Sequence, residues 1–198
     1  MSTAPATLPT RLNASARMPS FDALLANYLE NRVGGDIKRQ IGGAIDDTHA
    51  PSGQQWLGGE DGDTCTIRMS RTLNYSGVHI SAHFPGLRTA SGKDGLHYAF
   101  AVQEMRTFLT VTFGQPQLES RKPVNRKVFA PYKGIILFDI AFGMNPDGAT
   151  RAMGYVDLWD GKTFFDEAWG ISTPGRDFFT IASRVSLWVA LGTGMIAT

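Results

Sequence analysis

Phe21, Leu24, Leu25, Tyr28 and Leu29 recur at i, i+3, i+4, i+7 and i+8 behind Ser20. That spacing predicts a helix opened by a serine cap, and Gly34-Gly35 ends it. Residues 36–63 contain Gly42-Gly43, Pro51-Ser52-Gly53 and Gly58-Gly59 and read as mostly loop. Cys65, Met69 and Leu73 then fall four apart on one face of a second helix, capped by Asp63 or Thr64 and stopped at Gly77. Val78–Phe84 is expected as a strand and Pro85–Gly95 as a loop. His97–Val102 alternates with Tyr98, Phe100 and Val102 on one side, as a strand does. Helical spacing returns over Gln103–Phe113 through Met105, Phe108, Leu109 and Thr112, and Gly114 with Pro116 closes it.

The last third is strand-rich. Gly134–Phe142 (GIILFDIAF) is an apolar run of the kind buried on both faces. Asn145-Pro146-Asp147-Gly148 is a turn cluster. Met153–Trp159 and Lys162–Asp166 flank Asp160-Gly161, a strong hairpin signal. A two-residue loop there would set Trp159 opposite Lys162, Asp157 opposite Phe164, and Tyr155 opposite Asp166. Asp177–Leu191 is a final amphipathic or strand-like segment. There is no internal repeat. The first 18 residues, rich in Ala, Ser, Thr and Pro, read as a loose tail, and residues 19–198 as one domain.

Composition narrows the function. Nineteen basic residues against 18 acidic ones leave a net charge of +1 in 198 residues, which argues against binding nucleic acid by phosphate neutralisation. Apolar residues at 42% and aromatics at 11% argue against disorder. Twenty-two glycines beside 19% charged residues favour a sheet-containing fold over a helical bundle. The N-terminal stretch has neither the apolar core of a secretory signal nor the length of a membrane span. Synthesis and folding in the cytoplasm are therefore expected, with any export by a route that needs no such peptide. One cysteine, Cys65, excludes an internal disulfide and a Cys-based zinc site.

Several motifs fail on their spacing. Gly86–Lys93 has five residues between its glycines where a phosphate loop has four, and Asp94 stands where Ser or Thr is needed. His79 and His83 are four apart, yet Ile80 replaces the Glu of a zinc protease. Asn13-Ala14-Ser15 and Asn74-Tyr75-Ser76 match glycosylation acceptors in a chain without a signal for that machinery.

Cys65 supports two readings. A single free cysteine commonly packs as a small buried hydrophobe. In the first turn of a helix, however, the dipole and the unpaired N–H groups favour the nucleophilic thiolate and can hold an oxyanion. The expected register pairs Tyr155 with Asp166 across the hairpin, either as an ordinary Tyr–Asp contact or as part of a site.

Asp63-Thr64-Cys65-Thr66-Ile67-Arg68-Met69-Ser70, running on to Leu73-Asn74 and Gly77, resembles the Cys-bearing helix of the type VI secretion amidase effectors, family four. Gly154-Tyr155-Val156-Asp157-Leu158-Trp159-Asp160-Gly161 resembles that family's hairpin, Gly-His-x-x-Leu-Trp-Asn/Asp-Gly. Phe21–Leu24, Gly42-Gly43, Tyr98–Gly114 with Pro116, Gly134-Ile135-Ile136 and Arg184–Trp188 extend the match from about residue 19 onward. The resemblance implies an α+β, papain-like fold of NlpC/P60 type, with a Cys helix packed on an antiparallel sheet. It implies an antibacterial effector that leaves the cytoplasm by the type VI machinery and acts in the periplasm of rival cells. There it would cleave the γ-D-glutamyl–meso-diaminopimelate bond of peptidoglycan stem peptides, and a cognate immunity protein would block it. Neither cofactor, metal, nucleic acid nor membrane insertion is implied. Carried over by position, Cys65 is the nucleophile and Asp166 the orienting acid. Tyr155 occupies the position of the family's histidine. A phenol is protonated at neutral pH and cannot act as the base, so the resemblance also admits a silent binder of stem peptide or immunity protein. His79, His83 and His97 are the candidate substitute bases, and Lys93 and Asp94 a candidate cleft rim.

Overall fold

The computed structural model describes residues 18–28, 37–46, 64–144, 150–165 and 177–191. Helix α1 (Phe21–Ala26) opens as its sequence predicts, with the Ser20 hydroxyl accepting from the Ala23 N–H at 3.2 Å. α2 (Ile37–Ile41) and a 3-10 turn (Gly43–Ile45) lie where mostly loop is expected. α2 buries Ile37 and Ile41 one turn apart, too few positions for a helical period to show. α3 (Thr64–Tyr75) carries Cys65, and its chain reverses at Gly77, whose φ of +87° suits glycine. Asp63 lies outside the described residues.

Residues 78–84 form turns, not the expected strand. Asn74 Oδ1 accepts the Ile80 N–H at 2.9 Å and Ser81 Oγ that of His83 at 3.1 Å. These side-chain acceptors take backbone donors that a ladder would need. β1 (Thr89–Ser91) pairs antiparallel with β2 (His97–Ala99), so the expected loop Pro85–Gly95 contains a short strand. α4 (Val102–Phe113) ends at Gly114 as expected.

The main sheet holds β3 (Leu118–Arg121), β4 (Gly134–Met144), β5 (Thr150–Trp159) and β6 (Arg184–Val189) in the order β3-β6-β4-β5, every pair antiparallel. Central β4 is apolar on both sides because both sides are covered. Ile135 and Leu137 face a cluster with Met69 and Leu73 of α3 and Met105, Phe108 and Leu109 of α4. Ile136, Phe138 and Ile140 face Trp159, Phe164, Phe178 and Phe179. A third cluster joins Ile37, Ile41 and Ile45 to Ile67 and Tyr98 on the opposite flank of α3. The expected segment 177–191 divides into α5 (Phe178–Ile181), capped by Asp177, and β6.

Asp139 interrupts the apolar run of β4 and is held by an ionic network. Arg184 Nε donates to its carboxylate at 2.5 Å, Arg106 Nη2 at 2.8 Å and Gln103 Nε2 at 3.0 Å. Burial opposes its ionisation, but the hydrogen bonds from Gln103, Arg184 and Arg106 outweigh burial and hold the Asp139 carboxyl below the usual carboxylate range.

Candidate active site

Cys65 sits in the first turn of α3 and is 4% exposed. It joins Met69 and Leu73 against Val156 and Leu158 of β5, the packing its four-residue spacing predicts. Its Sγ lies 3.9 Å from the Thr66 hydroxyl. Tyr155, half-buried on β5, packs against this cluster and also against the aromatic one beyond the sheet. Its ring centroid is 4.9 Å from that of Phe178, 6.0 Å from Phe164 and 6.4 Å from Phe138, its partner across the ladder.

Asp166 lies outside the described residues, and the register expected to bring it to Tyr155 does not form. Trp159 bridges to Phe164, leaving a four-residue turn at 160–163. The Asp160 carboxylate explains the wider turn: its Oδ1 accepts the N–H groups of Lys162 and Thr163, both at 2.8 Å. Pairing therefore differs by two positions from that of a two-residue Asp-Gly loop, so Lys162 does not face Trp159 and Phe164 does not face Asp157.

The hydroxyl of Tyr155 instead donates to Asp157 Oδ2 at 3.5 Å. Asp157 is fully buried. Its Oδ1 accepts the Leu158 N–H at 2.7 Å and the hydroxyl of Tyr28. Arg68, three residues after Cys65 and only 2% exposed, donates through Nη1 to that same Tyr28 hydroxyl at 3.3 Å and lies over the Tyr28 ring at 5.6 Å. One hydroxyl thus links the segment after α1, the Cys helix and β5. Arg68 and Ser70 are both buried. Ser70 accepts the Ala99 N–H at 3.0 Å and donates to Thr66 O at 2.8 Å. A signal for Asp157 was present, because residues i and i+2 of a strand share a side, which puts Asp157 beside Tyr155.

Asn74 and Trp159 hold backbone groups in place. Asn74 does more than finish its helix: its amide donates to His97 O at 2.8 Å while its carbonyl oxygen holds Ile80. Trp159 is buried, with its indole N–H on Phe129 O at 3.0 Å. His79 and His83 are exposed, and His97 Nδ1 lies 3.5 Å from the Thr89 hydroxyl on the β1–β2 ribbon. Among the described residues no group of three His, Cys, Asp or Glu side chains is placed to hold a metal ion, and no helix is long and apolar enough to cross a membrane.

A cysteine at the head of a helix packed on an antiparallel sheet, beside the strand bearing residue 155, defines the papain-like, NlpC/P60-type class. Residues 62–188 match the model of the Tae4 family, the type VI secretion system amidase effector protein 4. The chain belongs to that family. Among solved structures it is similar to the Tae4 effector of Salmonella Typhimurium in complex with Tai4, at 29% identity and a TM-score of 0.63, over 87% of this chain and 98% of that one. The Salmonella typhimurium effector bound to the immunity protein Tai4 from Enterobacter cloacae matches at 28% identity and a TM-score of 0.65, over 87% and 99%. Tae4 from Enterobacter cloacae shares the fold at 23% identity and a TM-score of 0.61, over 87% and 96%. No curated protein sequence matches.

Proposed function

We propose that this chain is a cysteine amidase effector directed at the peptidoglycan of competing bacteria, delivered by a type VI system into their periplasm and bound in kin by a Tai4-like immunity protein. The bond assigned to it is the γ-D-glutamyl–meso-diaminopimelate amide of the stem peptide. The observation that carries the reading is the placement of Cys65 in the first turn of α3, packed on the strand that bears residue 155, in a chain of this family. In the reaction, the Cys65 thiolate adds to the amide carbonyl and the N–H groups at the helix start hold the oxyanion. The C–N bond breaks as the amine of diaminopimelate takes a proton. Water then cleaves the thioester, releasing the γ-carboxylate and the thiol. Asp166 is assigned to orient the proton-carrying residue at position 155.

Tyr155 impairs this cycle. A phenol gives up its proton only near pH 10, so at neutral pH it neither takes the thiol proton nor pairs as a cation with the thiolate. Removing a positioned general base lowers rates by about 10²–10⁴. Digestion of purified peptidoglycan by this chain and by Tyr155→His tests the reading. A gain of about 10²–10⁴ in released stem fragments, abolished by adding Cys65→Ala, is expected. Equal turnover with and without the histidine overturns the impairment, and turnover that survives Cys65→Ala overturns the nucleophile.

One observation favours a second reading, a silent module that binds stem peptide or immunity protein. Tyr155 is integrated into the structure, packed on Phe138, Phe164 and Phe178 with its hydroxyl directed to Asp157. Stem-peptide binding without hydrolysis by either form supports it.

A further inference from the structure

The face of α3 turned away from Cys65 carries a second constructed feature. Ile67, Arg71 and Tyr75 follow one another four residues apart, about 200° around the helix from Cys65, Met69 and Leu73. Arg71 and Tyr75, with Gln40 and Ile41 of α2 and Lys93, Asp94 and Tyr98 of the β1–β2 ribbon, line a cavity of about 360 Å³. Arg71 lies about 9 Å along the axis from Cys65 at 1.5 Å per residue.

The cavity wall is set by backbone, not by side-chain chance. The turn at Gly92–Gly95 is clamped against the chain after α2, with the Lys93 N–H on Ile41 O at 3.2 Å and the Gly92 N–H on Leu96 O at 2.8 Å. A Cβ on Gly43 would lie 2.6 Å from Gly92 C and Lys93 N, so only glycine permits this approach. The Lys93 stem consequently runs over Gly42, 3.4 Å from where a Cβ would sit.

The charges are unequal in availability. Asp94 is engaged by the Tyr98 hydroxyl at 2.5 Å, the Tyr75 hydroxyl at 2.9 Å and the Leu96 N–H at 3.0 Å. Arg71 donates to Asn27 O at 2.8 Å and stacks over Tyr75 at 4.4 Å, which orients its guanidinium without neutralising it. Neither Arg71 nor Lys93 has a carboxylate partner among the described residues. Two cations over a fixed aromatic floor outnumber the single carboxylate, Asp94, whose oxygens already accept three hydrogen bonds, and this net positive lining suits an anionic group.

We infer that this cavity is a carboxylate subsite, in which Arg71 and Lys93 hold a free carboxylate of a wall stem peptide on the back of the Cys helix. The inference rests on the proposed function for the identity of the peptide. Such a subsite gives a peptide carrying several carboxylates a second anchor besides the cleft, with the Arg71 fork supplying paired hydrogen bonds and Lys93 a point charge.

Calorimetric titration of the Cys65→Ala chain with purified stem tetrapeptide tests it, beside the same peptide with its carboxylates converted to amides. Arg71→Gln and Lys93→Gln are each expected to weaken binding of the free acid about ten-fold, and amidation to do the same in the parent chain. Arg88→Gln, which removes a cation paired with Glu104 outside the cavity, serves as control and leaves affinity unchanged. Unaltered affinity in the Arg71→Gln, Lys93→Gln double variant, or equal binding of the amidated peptide, overturns the subsite; so does the absence of binding by the parent. Far-ultraviolet dichroism identical to the parent's confirms that each variant is folded. The two readings fail separately. Arg71- and Lys93-dependent binding with no hydrolysis by Tyr155→His removes the amidase and keeps the subsite, whereas hydrolysis with charge-insensitive binding does the reverse.

Discussion

Substituting Tyr28 by Phe isolates a single oxygen at the junction of three segments. The ring remains, and with it the contact to Phe165 at 5.4 Å between centroids and the guanidinium of Arg68 at 5.6 Å. What disappears is a hydroxyl that donates to Asp157 and accepts from Arg68 at 3.3 Å. Exposures of 7% for Tyr28, 2% for Arg68 and 0% for Asp157 mean that water does not readily replace it. A hydrogen bond to a charged group contributes about 1.5–3 kcal/mol, and here one neighbour is a guanidinium and both neighbours are buried, which places the cost at about 2–3 kcal/mol. In a chain of this length that corresponds to a fall in Tm of roughly 2–4 °C per kcal/mol. Urea unfolding followed by tryptophan fluorescence reads the loss as a lower midpoint at constant slope. A cost under about 0.5 kcal/mol, the ordinary range for surface substitutions, would refute the argument. Strict additivity of Tyr28→Phe with Asp157→Asn would also refute it, because groups sharing a hydrogen bond couple by about 0.5–3 kcal/mol.

Two further outcomes follow from the sheet. Phe138→Ala removes a fully buried ring that meets Phe164, Phe178 and Phe179 at centroid distances of 5.0–5.8 Å, and is expected to cost about 3–5 kcal/mol in the same unfolding assay. A cost near 1 kcal/mol would mean that the aromatic cluster collapses around the gap. Asp139 governs part of the acid response: since its folded value lies below the unfolded one, its contribution is complete above about pH 4 and is lost as pH falls from there through the lowered folded value. Asp139→Asn should therefore lower stability at pH 7 and flatten the pH dependence below about pH 4. An unchanged slope in that window in chemical unfolding series would contradict the assignment.

The elements with long apolar periods were legible in the chain itself. α4 follows Met105, Phe108 and Leu109, β4 follows an apolar run broken once by Asp139, and the Ser20 and Gly77 boundaries stand where their chemistry puts them. Elements defined by tertiary contacts were not. α2 offers two isoleucines, β3 reads Leu-Glu-Ser-Arg, and neither has enough apolar positions to register a period before the elements they pack on are known. At the site, the spacing of Cys65, Met69 and Leu73 put the thiol on the core-facing side of its helix. The turn at Asp160 misled the register because an aspartate side chain competes for the N–H groups that a two-residue loop would leave to the ladder. Asp157 went unassigned because Tyr28, whose hydroxyl donates to it, is 129 positions away in the chain, and Arg68, which donates to that hydroxyl, is 89 away.

The strand order β3-β6-β4-β5 also sets a timetable for the newborn chain. β4 and β5 are neighbours in sequence and can zip together as soon as both have emerged. β3, made earlier, pairs among the described residues only with β6, whose own other side is β4. The last of these four strands to be synthesised is therefore the wedge that joins the two halves, and this four-stranded arrangement is incomplete until residues 184–189 are out of the ribosome. Long-range closure of this kind is slow compared with local hairpins. A chain truncated before residue 184 would keep the Cys helix and β5 in its sequence yet leave β3 without its neighbour among the described residues.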